Sequence, residues 1–287
     1  MSSIVTQQGI LHYETMGRGQ PLILLHGWIN SWDVWRDSMI ALANGGQYRV
    51  YALDFWGFGE SAKGNGSSAP SFRIASYVEM VKQFMDSLGI QESPLLGHSM
   101  GGTVALQFAL NYPERTRRVA VVGSPVVGTS LNLFLKMAGI GRIAELVWRY
   151  PRVFEPMMHS VTRLTMHILL AGDSERVREM IFRDWQQTTF DSFFRSISDL
   201  KRTDLRSELQ QLNMPTLGIY GLKDNIVSPS NADILRERVQ SSEVSLMHHS
   251  RHFPMTDEPD KFLSTLDGFL RSEEYRNNGH GRRTPAG

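Results

Sequence analysis

The chain has no cysteine. Disulfides, thiolate metal sites and cysteine nucleophiles are excluded together. It has no excess of either charge: 30 Lys and Arg stand against 29 Asp and Glu, for a net charge of +1. A dedicated nucleic-acid binder would carry a basic surplus on one face, so that class is set aside. Arg115, Arg117 and Arg118 form a short basic cluster, with Glu114 beside it, that reads as a solvated loop. No apolar run approaches the roughly 18 residues that a membrane span needs. The N-terminal stretch lacks the basic and apolar segments of a secretory leader, and a cytoplasmic location is expected. His-Glu-x-x-His is missing, and His248, His249 and His252 have no carboxylates at ligand spacing, so no metal site is expected. The tail, residues 272–287, has too little apolar content to bury and is expected to be disordered.

What remains is ordinary globular composition: 287 residues, 41% hydrophobic and 21% charged. No internal repeat is present. Short apolar runs alternate with helical patterns. Pro21–Leu25, Arg49–Leu53, Pro94–Leu96, Val119–Gly123, Thr216–Tyr220 and Glu243–Met247 read as strands buried on both faces, hence a parallel sheet. Ile10–Glu14 alternates and reads as an antiparallel edge strand. Ile74, Tyr77, Val78, Val81, Phe84, Met85 and Leu88 form one apolar stripe on a helix that Gly89 stops. Further helices are expected over Gly102–Asn111, Ile234–Val239 and Lys261–Leu270. This rhythm predicts a doubly wound α/β sheet. Between about residues 125 and 206 it breaks. That stretch is helical, with helices near Leu131–Trp148, Phe154–Leu170, Glu175–Gln187 and Phe190–Leu200. It reads as a helical cap inserted over the C-terminal edge of the sheet, between core segments 1–124 and 207–271.

Gly97-His98-Ser99-Met100-Gly101-Gly102 matches G-x-S-x-G between a strand and a helix, the context of a nucleophile elbow. A lone serine needs a general base, and the base needs an orienting acid. Asp224 follows the strand Thr216–Tyr220, and His252 follows the next strand, in the chain order Ser, Asp, His that this architecture uses. His248 and His249 are rival bases, placed too early to reach over the sheet edge. Gly27, after the strand Pro21–Leu25, lets backbone approach a substrate carbonyl closely. The amides of Trp28 and Met100 would then face the developing oxyanion. His26 and Asp54 read as structural. His98 is expected on the pocket wall. Phe134, Met137, Trp148, Phe154, Met157 and Met158 are candidate lining residues from the cap. Trp28, Phe55, Trp56 and Phe58 are divided between pocket and core. The x-x-G continuation of a dinucleotide fingerprint fails at Ala62.

The set LLHGW, DFWGFGES, GHSMGG, YGLKDNIV and HFPMTDEPDKF resembles the α/β-hydrolase superfamily over the chain from about Ile4 to Leu270. The HGW form, the YGxxDxxV segment and the helical cap resemble the small carboxylesterases, including the pimeloyl-carrier-protein methyl ester esterases. In that group the residue before the nucleophile is often Trp; here it is His98. The resemblance implies a Ser99–Asp224–His252 triad and an oxyanion hole from the amides of Trp28 and Met100. A small-molecule ester is the implied substrate, and the mechanism needs no cofactor. Ser99 argues against the epoxide hydrolases and haloalkane dehalogenases, which place Asp there. Three other readings stay open: a carbon–carbon bond hydrolase of aromatic ring-cleavage products, a cofactor-free haloperoxidase or perhydrolase, and a non-catalytic binding module.

Overall fold

The computed structural model describes residues 2–63, 71–138, 160, 164, 167–168, 170 and 172–279. Eight strands form one sheet: β1 Ser2–Thr6, β2 Gly9–Gly17, β3 Gln20–Leu25, β4 Tyr48–Leu53, β5 Ser93–His98, β6 Thr116–Val122, β7 Thr216–Gly221 and β8 Ser242–Met247. Their order is β1-β2-β4-β3-β5-β6-β7-β8. β1 and β2 run antiparallel, and the other six are parallel. The described helices are α1 Arg36–Asn44, α2 Ile74–Ser87, α3 Met100–Asn111, α4 Leu133–Ala138, α5 Glu175–Gln186, α6 Phe190–Arg202, α7 Asn231–Arg238, α8 Pro254–Asp257 and α9 Pro259–Gly279.

The parallel strands are apolar on both faces because both faces are covered. Side chains alternate across a strand. Ile23, Leu25, Leu95, Val119 and Val121 accordingly pack into one core, and Leu22, Leu24, Leu96, Ala120 and Val122 into the other. The stripe of α2 is buried as expected. Gly89, at φ +66°, closes it, and Ile90 donates its amide back to the Met85 carbonyl, a left-handed helix stop that glycine favours.

Three features depart from the sequence reading. The edge strand is β1; β2 lies inside it, paired on both sides. Arg118 is not in a solvated loop. It sits on β6, buried, and donates to the Phe269 carbonyl and to Ser272 Oγ. The last helix continues through Gly279, past residue 271.

The chain leaves the sheet after β6 and returns before β7. The two ends of this excursion run side by side. Leu205 donates its amide to the Val126 carbonyl, and Gly128 donates to the Thr203 carbonyl. Ser174 and Thr189 cap α5 and α6 with their side-chain oxygens. Residues 139–159, which include the rest of the expected first helix and the start of the second, lie outside the described residues.

Candidate active site

The parallel strands end together, so the loops after β3, β5, β7 and β8 meet at one edge. Ser99 sits at φ 50°, ψ −120°, between β5 and α3. Non-glycine residues rarely adopt this backbone conformation, which stores about 1–3 kcal/mol. The surroundings enforce it. The Ser99 amide donates to the Val122 carbonyl at 2.8 Å. A Cβ on Gly97 would overlap the Gly101 backbone, and one on Gly101 would overlap the carbonyls of Leu25 and His26.

His252 follows β8 and Asp224 follows β7. His252 Nδ1 lies 2.7 Å from Asp224 Oδ2, and both side chains are buried. The other carboxylate oxygen, Oδ1, accepts from the amides of Ile226 at 2.8 Å and Val227 at 2.9 Å. An ionised carboxylate only accepts, so the histidine proton belongs on Nδ1 and Nε2 keeps a free lone pair. Ser99 and His252 line one cavity. Its other described walls are apolar apart from Asn30: they include Trp28, Leu131, Ile181, Ile197 and Phe253. No Lys, Arg, Asp or Glu is among those walls. The rival bases His248 and His249 are exposed.

The turn after β3 is clamped from beneath. His26 Nδ1 lies 2.7 Å from the Gly27 carbonyl, and His26 Nε2 accepts from the Phe55 amide at 2.9 Å. That second bond fixes the tautomer, so Nδ1–H donates. Burial lowers the His26 pKa to about 4 and keeps the ring neutral. The Gly27 carbonyl also accepts from the Asn30 amide at 3.2 Å. In a trans peptide the N–H points opposite to the C=O. Fixing the Gly27 carbonyl therefore fixes the direction of the Trp28 N–H. Asp54, fully buried, accepts from the Trp32 amide at 2.6 Å, the Glu60 amide and His12 Nδ1, which anchors the far end of the same turn. Met100 opens α3, where first-turn amides have no intrahelical acceptor.

His98 is not on the pocket wall. It is fully buried and absent from the cavity lining, with Nε2 2.9 Å from the His252 carbonyl. The strand direction turns its ring toward the His252 loop and away from the cavity. Phe55, Trp56 and Phe58 belong to the core. Phe134 and Met137 fall on α4, but their side chains lie outside the described ones; Trp148, Phe154, Met157 and Met158 lie outside the described residues. The sequence reading missed Ile29 and Asn30. Ile29 holds φ 63°, an outlier for a β-branched residue, and lines the cavity beside Asn30. Nothing in the residue types signals either. Among the described residues no group of three or more His, Asp or Glu converges to hold a metal ion. No helix among them is long and apolar enough to cross a membrane.

A strained serine on a strand–turn–helix bend, opening on the same cavity as a carboxylate-bonded histidine, defines a hydrolase of the α/β class. The chain belongs to the alpha/beta hydrolase fold family, whose model matches residues 20–259. It is similar to a pimeloyl-[acyl-carrier protein] methyl ester esterase of Aeromonas hydrophila: 29% identical over 269 residues, covering 90% of this chain and 98% of that relative. Among solved structures it is similar to an esterase from Exiguobacterium antarcticum, with TM-score 0.77, 22% identity, and coverage of 94% of this chain and 99% of that one. A bromoperoxidase from Bacillus anthracis superposes with TM-score 0.79 at 24% identity, covering 94% of this chain and 100% of that one.

Proposed function

We propose that the protein hydrolyses uncharged carboxylic esters through an acyl-enzyme on Ser99. The observation that carries this reading is the His252–Asp224 bond of 2.7 Å beside a strained serine in a shared cavity. His252 Nε2 takes the Ser99 proton as the hydroxyl attacks the ester carbonyl. Asp224 holds the tautomer and stabilises the imidazolium. The amides of Trp28 and Met100 receive the oxyanion. His252 then protonates the leaving alkoxide, and water deacylates Ser99 by the same route. No cofactor enters these steps.

Residues 125–206 act as a cap in this reading. α5 and α6 supply Ile181 and Ile197 to the cavity, and Trp28 Nε1 donates to the Phe193 carbonyl at 3.1 Å. The apolar walls suit an aliphatic acyl group, which agrees with the methyl ester of an acyl chain named for the Aeromonas hydrophila relative. Ring-cleavage products carry carboxylates and would need a cation in the pocket. The described walls carry none, and the cap residues Arg142, Arg149, Arg152 and Arg163 lie outside the described residues. The test is hydrolysis of p-nitrophenyl esters from acetate to palmitate, comparing wild type with Ser99→Ala. Activity with a chain-length optimum, lost by about 10³-fold or more in the variant, supports the reading. A wild type inert across the series overturns it.

A further inference from the structure

His98 has no step in the mechanism above, yet it touches three of the loops that carry it. It immediately precedes Ser99. Its Nε2 lies 2.9 Å from the His252 carbonyl, and its ring centroid lies 4.7 Å from that of His252. Its Nδ1 lies against the oxyanion turn, 2.8 Å from where a Cβ on Gly27 would be. A carbonyl oxygen only accepts, so the His98 proton is on Nε2, and Nδ1 is a bare lone pair with no hydrogen-bond partner. A bare Nδ1 is what the close approach of Gly27 requires. Burial, with His252 as a lesser cause, holds the pKa of His98 well below the usual imidazole value, so the ring stays neutral.

We propose that His98 is a positioning residue for the triad: its Nε2–H holds the His252 backbone in register with Ser99, while Nδ1 seats the Gly27 turn. This rests on the ester-hydrolase reading. If packing alone mattered, a phenyl ring would serve as well as the imidazole. It would keep the edge contact with Trp35 and the tilted contact with Phe253, at 6.3 and 4.9 Å between centroids. The two roles are therefore separable by a pair of variants. His98→Phe keeps a ring and removes the donor. His98→Gln removes the ring and keeps an N–H in reach of the His252 carbonyl.

The experiment measures kcat and KM for p-nitrophenyl butyrate, together with the rate of Ser99 labelling by a fluorophosphonate, in folded samples checked by thermal melting. His98→Phe is expected to lower kcat and the labelling rate by about 10- to 100-fold, with KM within about twofold. His98→Gln is expected to recover much of that loss. A phenylalanine variant as active as wild type, or more active than the glutamine variant, overturns the proposal. His98→Leu takes its place if the phenylalanine variant does not fold. A wild type that takes no label refutes the hydrolase reading itself. A wild type that labels, beside a phenylalanine variant that labels equally fast, refutes only the role of His98.

Discussion

Gly27→Ala tests whether the turn after β3 is shaped for catalysis. Gly27 does not sit in the left-handed region, so alanine can adopt its backbone; what it lacks is space. The new Cβ would lie 2.8 Å from His98 Nδ1, 3.0 Å from Asn30 Oδ1 and 3.1 Å from Ser99 Cβ. These atoms must separate by a few tenths of an ångström. His98 and Asn30 are buried, and His98 is tied to the His252 carbonyl. The turn therefore yields, and the Trp28 amide moves with it. Removing an oxyanion donor outright costs about 3–4 kcal/mol. A displacement of this size forfeits about half, so kcat should fall by about 10- to 30-fold while KM stays near its wild-type value. Steady-state kinetics on p-nitrophenyl butyrate, with urea unfolding to confirm the fold, reads the effect. A folded Gly27→Ala protein with wild-type kcat would refute the reasoning.

The remaining predictions concern the triad, a helix and a buried carboxyl. Asp224→Asn retains an oxygen for the Ile226 and Val227 amides but loses control of the His252 tautomer, so kcat should fall by about 10⁴-fold with little change in melting temperature. Gly268 lies exposed inside α9 with nothing within 4 Å of a would-be Cβ, so Gly268→Ala should raise stability by about 0.5–1 kcal/mol in urea unfolding. Asp184 on α5 accepts from Ser31 Oγ at 2.9 Å and from the Arg183 guanidinium at 3.0 Å, but burial outweighs both and raises its pKa to about 6. The folded state thus takes up the proton before the unfolded one. Stability tied to this group is greatest near pH 4 and declines as the pH rises through about 6. Asp184→Asn should remove that slope, gaining on wild type by up to about 3 kcal/mol between pH 4 and 7.5 in paired urea titrations.

The bend at Ser99 was legible because tight geometry restricts residue choice. The elbow needs glycine at 97 and 101, where any Cβ overlaps backbone, so the motif survives in the sequence. The continuous apolar runs of the parallel strands and the stripe on α2 were equally plain, since burial on both faces of a sheet and on one face of a helix dictates them. What escaped was direction. Whether His98 faces the cavity or the His252 loop depends on strand twist and neighbouring loops, and a residue type does not encode that. Ile29 at φ 63° and the Asn30 Nδ2 without a hydrogen-bond partner are set by the path of the turn after β3, which residue type does not encode. Arg118 looked solvated because its partners, Phe269 and Ser272, lie far along the chain. β1 was missed because Ser2–Thr6 is short and half polar, with apolar residues that only the pairing with β2 explains.

The most direct test of the central claim is to label the folded protein with a fluorophosphonate and map the adduct by peptide mass spectrometry. The account predicts one adduct, on Ser99, abolished by Ser99→Ala and slowed strongly by His252→Ala. An unlabelled wild type, or an adduct on another residue with Ser99→Ala still hydrolysing esters, would contradict it.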